Sequence, residues 1–154
     1  MTARLAQVTF TLTRFPTVSG VLFDLDGRPV TVFGGEGIIL DHPSTRASYE
    51  SLAPAILVET PGPGDQVTSP IRVTGSANVF EAAFRVQLTD PSGRVIVDRP
   101  VMASSGSGTR GTFDVTLPSG PGDAGPRLLT VFDLSAQDGS RQDIVTIPIV
   151  VAAP

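Results

Sequence analysis

Beyond residue 54 the chain repeats one pattern. Short runs alternate apolar and polar residues, and clusters of turn formers separate them. In Gly111–Leu117, Phe113, Val115 and Leu117 alternate with Thr112, Asp114 and Thr116. A period of two predicts a strand with one face buried. Similar runs fall at 56–59, 67–75, 80–89, 95–102, 128–135 and 143–151. The breaks between them include Pro61-Gly62-Pro63-Gly64, Asp90-Pro91-Ser92-Gly93, residues 104–108, residues 118–126 and Asp138-Gly139. About seven short strands at this spacing predict a mainly β fold, an immunoglobulin-like β-sandwich over residues 55–152. The Cys…Trp…Cys mark of antibody domains is absent, so the pattern specifies architecture alone.

One run is ambiguous. In GSANVFEAAFRVQLTD, residues 75–90, Asn78 can cap a helix and Glu81 follows three residues later. A helical stripe of Phe80, Ala83, Phe84, Gln87 and Leu88 buries a Gln and exposes Val86. A strand places Phe80, Ala82, Phe84, Val86 and Leu88 on one face and Glu81, Arg85, Gln87 and Thr89 on the other. The strand accounts for more residues, and its aromatic and β-branched content supports it. Phe80 is then expected to point into the sandwich, and Glu81 to fix the turn that opens the strand through Arg85 or a loop amide.

The first part of the chain reads differently. Leu5, Val8, Leu12 and Phe15 recur at helical spacing, predicting a short amphipathic helix that ends at Phe15-Pro16. In VSGVLFDLDGRPVTVF, Asp26-Gly27 sits between alternating runs and predicts a hairpin. Residues 34–54 are irregular, with turn formers at Asp41–Ser44 and a short helix beginning near Ser44. The expected organisation is a small α+β segment at 1–47, a linker at 48–54 and the sandwich.

Composition narrows the partners. The chain has 154 residues, a net charge of −4 and no Lys; all 11 basic residues are Arg, without a cluster. A nucleic-acid backbone needs concentrated positive charge, so no nucleic-acid partner is expected. Cys is absent, which removes disulfides, thiolate nucleophiles and thiolate metal sites from this sequence. No run has the length of a membrane-spanning helix, and Thr, Gln and Arg interrupt the apolar stretches of the first fifteen residues, unlike a signal peptide.

Candidate chemistry is sparse. Gly106-Ser-Gly-Thr-Arg-Gly111 matches G-x-G-x-x-G, but a dinucleotide site needs a helix next, and Thr112–Val115 continues as a strand. Asp24 and Asp26 share a strand face, but Asp-x-Asp-Gly lacks the remaining ligands of a calcium loop. Asp133, Asp138 and Asp143 can gather near one hairpin as a weak ion site. His42, the single histidine, sits beside Asp41 and Ser44 in one short turn, whereas a nucleophilic triad draws its members from separate elements. Glu81 pairs in principle with Arg85 on one strand face, and no second carboxylate is marked to complete an acid–base pair. No catalytic, cofactor-binding or metal-binding residues are assigned, and no cofactor is expected.

SPIRVTGSANVFEAAFRVQLTDPSGRVI, GTFDVTL and LTVFDLSAQDGSRQDIVTIPI together resemble the immunoglobulin-like domain of bacterial spore-germination proteins, the GerM-associated domain. Ser69-Pro70, Val73-x-Gly75, Ala77, Phe80-Glu81 and Asp138-Gly139 carry the resemblance. Gly75, Phe80, Glu81, Asp138 and Gly139 are expected to be structural. LAQVTFTLTRFPTVSGV, FDLDGRPV and GEGIILDHPSTRASYE resemble the end of the GerM N-terminal-type sporulation and germination domain, so residues 1–47 are expected to be a fragment of it. The resemblance implies a non-enzymatic protein-interaction or assembly module, extracytoplasmic, at a bacterial cell envelope. Such proteins commonly carry a signal segment and a lipid-attachment Cys, and membrane association is expected only through such an anchor, outside this sequence. Docking is expected at a sheet edge or at loops 103–111 and 118–126. The alternative is a carbohydrate- or peptidoglycan-binding module; against it stand the absence of Trp and a single Tyr, Tyr49, outside the sandwich.

Overall fold

A computed structural model describes residues 1–118 and 120–153, and of Pro121 the backbone. Ser119, in the 118–126 loop, lies outside the described residues. The chain divides into two compact units, Met1–Ala53 and Pro54–Pro154.

In the first unit, α1 (Thr2–Leu12) buries Leu5, Ala6 and Thr9. The helix forms where expected but ends at Leu12, before Phe15, and its buried face differs: Val8, Leu12 and Phe15 are exposed. Two small antiparallel hairpins follow. β1 (Asp24–Leu25) pairs with β2 (Arg28–Pro29), and β3 (Val32–Phe33) pairs with β4 (Ile38–Ile39). The first turn has Asp26 at φ 52° and Gly27 at φ 75°. Positive φ at both central residues is the twist-matched hairpin turn that Asp-Gly favours. The second hairpin lies partly in the stretch expected to be irregular; strands of two residues are too short to show a period. A 3-10 helix, Arg46–Leu52, follows Ser44 and Thr45. The core is small: Leu5, Ala6, Leu40 and Tyr49, with half-buried Phe10, Phe23, Val30, Phe33 and Ile38 against it. Arg46 ties the 3-10 helix to α1, donating to Thr13 Oγ1 at 3.0 Å and to the Phe10 carbonyl at 3.4 Å.

The second unit is an immunoglobulin-like sandwich. Its strands are β5 (Ile56–Thr60), β6 (Gln66–Val67), β7 (Ile71–Ala77), β8 (Ala83–Thr89), β9 (Val95–Met102), β10 (Gly111–Leu117), β11 (Gly125–Leu134) and β12 (Arg141–Val151). One sheet runs β10-β7-β5 and the other β6-β12-β11-β8-β9. All pairs are antiparallel except β6 with β12. The single run expected at 67–75 is two strands. Ser69-Pro70 intervenes, and β6 joins one sheet while β7 joins the other.

Alternation decides the core. β10 is buried at every second residue, from Gly111 through Phe113 and Val115 to Leu117. Ile71, Val73 and Ala77 face inward from β7, and Phe84, Val86 and Leu88 face inward from β8. Leu129, Val131, Ile147 and Ile149 complete the opposing layer. Each large apolar side chain buried this way contributes about 1.5–3 kcal/mol. Phe84 and Phe113 meet edge to face across the layers, centroids 4.9 Å apart. Gly75, across the ladder from Phe113, is fixed by close approach: a Cβ there would lie 2.1 Å from the Leu57 carbonyl oxygen and 2.6 Å from the Phe113 ring.

Candidate interaction surface at one end of the sandwich

The 75–90 run resolves into a strand preceded by a strained turn. Asn78 and Val79 leave β7, Phe80–Ala82 form one 3-10 turn, and β8 begins at Ala83. Glu81 has φ 52° and Ala82 has φ 58°. Non-glycine residues in the left-handed region cost about 1–2 kcal/mol each, so two in succession need outside support.

Loop 103–111 gives that support. Glu81 N–H donates to Ser107 Oγ at 2.9 Å, and Ser107 N–H donates to the Val79 carbonyl at 2.9 Å. Gly108 N–H donates to Asn78 Oδ1 at 2.9 Å, and Ala103 N–H donates to the Ala82 carbonyl at 2.9 Å. The loop must lie against the turn to do this. At Gly106 a Cβ would stand 2.5 Å from Ala82 N and 2.6 Å from the Val79 oxygen; at Gly111 it would stand 2.2 Å from Ser105 N. Gly106 and Gly111 of the G-x-G-x-x-G match therefore serve backbone packing, while Gly108, at φ 107°, serves the loop's turn. Arg110 joins the loop to the entry of the domain, donating to the Pro54 carbonyl at 2.7 Å.

Two expectations are corrected here. Phe80 does not point into the sandwich; it is 59% exposed at the tip of the turn. Its period-two phase with Phe84 is lost because the backbone turns before the strand starts. Glu81 does not pair with Arg85. Arg85 binds Asp98 at 2.8 Å, and the amide of Glu81, not its carboxylate, holds the turn. The Glu81 carboxylate is exposed and makes no hydrogen bond or ion pair with the described residues. The result is a braced tip that presents an aromatic ring and a carboxylate to solvent.

The outer face of the larger sheet holds a second arrangement, which sequence reasoning missed. Phe132 lies on that face yet is 1% exposed. The Arg141 guanidinium sits 4.2 Å above its ring, within cation–π range. Arg141 also donates to Gln87 Oε1 at 3.5 Å, and Gln87 Nε2 donates to Asp98 Oδ2 at 3.3 Å. This chain of contacts explains why Gln87 is buried on a strand's polar side. No local signal links these positions, which come from separate strands.

The remaining candidates are dispersed. Asp133 accepts from Leu134 N–H at 2.6 Å and from Gln142 Nε2 at 3.0 Å. Asp138 accepts from Ser140 N–H and Oγ, which hold its carboxyl below the ordinary aspartate value. Asp143 sits at φ 50° in β12, where the register shifts against β11. The three residues thus sit at separate turns and bulges, and no group of three or more metal-ligating side chains forms among the described residues. Asp26 leaves its strand for the turn, so it does not share a face with Asp24. His42 Nδ1 contacts the exposed Asp41 carboxylate, while Ser44 is buried and meets Tyr49 Oη at 3.2 Å, so the three do not converge. Gly139, at φ 73°, permits the turn into β12.

A family model for the immunoglobulin-like domain of bacterial spore germination matches residues 55–140, more than half of the chain. The chain belongs to this family. No curated protein matches it. The matched residues of this germination-family domain include Gly75, the Phe80-Glu81 tip, the 103–111 brace and the Asp138-Gly139 turn. β12, which follows the match, completes the larger sheet.

Proposed function

We propose that this chain is a non-enzymatic assembly module of the bacterial cell envelope, outside the cytoplasm, and that its sandwich docks another protein through the tip at Phe80 and Glu81. One observation carries the reading. Phe80 is exposed on a turn with two left-handed residues, and loop 103–111 holds it there by hydrogen bonds and glycine close approach. Strain retained in a turn that holds its aromatic side chain, Phe80, outside the core favours a role in recognition. Rigid aromatic side chains are frequent anchors of protein interfaces, and a neighbouring carboxylate adds selectivity for a basic rim.

The alternative, a peptidoglycan- or carbohydrate-binding module, has less support. Tyr49 is buried against Ser44 and offers no stacking platform. The test is a photo-reactive residue placed at position 80 of the protein in its native host, with a control at exposed Val95. One discrete protein adduct from position 80, absent from position 95 and lost with Glu81→Arg, is the expected result. Equal labelling from both positions, or retention of the tagged protein by purified cell wall with no protein adduct, counts against the reading.

A further inference from the structure

The sandwich carries an exposed ring at one end and an apolar hollow at the other. β8 separates the two: Phe80 precedes its start at Ala83, and Pro91 follows its end at Thr89. Seven residues of strand span roughly 20 Å, so Phe80 does not reach the hollow of its own copy. The hollow, of about 360 Å³, lies on the outer face of the larger sheet. Leu128 pairs with Pro148 and Pro126 with Val150 across β11 and β12, and Pro91 closes the hollow from the turn after β8. These positions alternate with buried Leu129, Ile147 and Ile149, so their side chains face outward. Three proline rings are rigid and offer no N–H, so water here finds few partners and an apolar group displaces it at a gain. A cavity of about 150 Å³ already holds a benzene ring.

The wall of the hollow is also positive. Arg127 lines it, is 8% exposed, and makes no ion pair with the described residues. Its Nη1 and Nη2 donate to the Pro126 and Ala124 carbonyls at 2.6 and 3.0 Å, and its Nε is buried without a partner. The acids next to the hollow in sequence are engaged. Asp90 binds Arg94 at 2.9 Å, and Asp65 accepts from Gly62 N–H at 2.7 Å. A guanidinium set among apolar walls without a counter-charge keeps a field that water screens poorly.

We infer, building on the docking tip proposed above, that the partner of the tip is a second copy of the chain: Phe80 of one copy enters the proline-walled hollow of the next. Phe80 supplies the apolar plug. The Glu81 carboxylate, which has no partner among the described residues, comes to the positive wall. Phe15 is as exposed as Phe80, but it follows Arg14 and precedes Pro16, so it brings no carboxylate to that wall. Tip and hollow are different surfaces, which makes the contact heterologous. Each added copy leaves one tip and one hollow free, so assembly proceeds head to tail, as a closed ring or an open filament.

The test is self-association of the purified full chain with substitutions at two exposed positions. Sedimentation velocity is expected to show the 16.0 kDa chain growing past a dimer as concentration rises. Phe80→Ala removes the plug, and Leu128→Glu sets a carboxylate in the hollow; each alone should weaken association at least ~10-fold. An equimolar mixture of the two should form a 1:1 dimer that grows no further, because one variant keeps its tip and the other its hollow. Glu81→Gln should weaken assembly about threefold, and more at low salt. A monomer at every concentration up to about 1 mM, unchanged assembly by Phe80→Ala, or a mixture that does not pair overturns the inference. The photo-reactive residue at position 80 in the host separates this partner from the docking reading itself. A self-adduct linked to Pro91, residues 126–128 or residues 148–150 supports both. An adduct with a different protein overturns the inference and leaves the docking tip standing, and no protein adduct overturns both.

Discussion

The two compact units use the same kinds of side chain and hold them in different ways. In Pro54–Pro154, strands of seven to eleven residues carry most of the apolar residues onto two facing layers. In Met1–Ala53, the strands are two residues long, and Leu22, Leu25, Val32 and Ile39 are 59–70% exposed. A strand must be long enough to repeat its alternation before it can bury a whole face. The first unit therefore depends on turn chemistry and on one helix packed over Leu40 and Tyr49. Its share of the stability is expected to be small and local, and that of the sandwich large and cooperative.

Substitutions in the two cores test this contrast most directly. Phe84→Ala removes a ring buried against Phe113 and should cost the sandwich about 3–5 kcal/mol, read by denaturant unfolding. Leu5→Ala should cost the first unit about 2–3 kcal/mol and leave the sandwich transition in place. One transition that moves with both substitutions would abolish the distinction between the units.

Gly75→Ala sharpens the claim that the sandwich is packed to its limit. The added Cβ has backbone on one side and the Phe113 ring on the other, so a loss of about 3 kcal/mol is expected from the same unfolding measurement. A neutral outcome would mean that β5 can move away from β7.

Acid is expected to produce the smallest effect, and in the sandwich. Ser92 and Arg94 hold the Asp90 carboxyl below the ordinary value of 3.8, and Arg72 and Ser140 do the same for Asp114 and Asp138. A carboxyl whose pKa is lowered on folding adds stability above its unfolded value, and that stability is lost as pH falls through the folded value. The melting temperature of the sandwich should thus be level above about pH 5 and decline below about pH 4, less steeply in Asp90→Asn. Asp114 and Asp138 are exposed and Asp90 is half-buried, so solvent screening keeps the contribution modest.

Much of this fold could be read in the residues. The alternation of Gly111–Leu117 became burial at every second position, and Asp26-Gly27 became the hairpin turn its type favours. What escaped was set by distant partners. Phe80 and Ala82 keep the phase of β8 in sequence, but the turn that displaces Phe80 is braced by Ser107 and Asn78, whose contacts span 26 and 30 residues. Gln87 looked like a surface residue until Arg141 and Asp98 enclosed it. On α1, Ala6 and Thr9 are small enough to approach the unit's core, so the helix turns that side inward instead of the larger Val8 and Leu12. The glycines at 106 and 111 were visible as a motif, but their reason is a backbone approach that spacing alone does not reveal.

The parallel pairing of β6 with β12 has a mechanical consequence. The chain enters the domain through β5, continues into β6 and leaves after β12. Once β5 is drawn off β7, tension between Pro54 and Ala152 would pull β6 and β12 lengthwise past each other. The bonds from Gly64 to Pro148, Val150 to Asp65 and Ala152 to Val67 would then bear load together rather than open one at a time. A short seam of this kind resists extension far better than its length suggests.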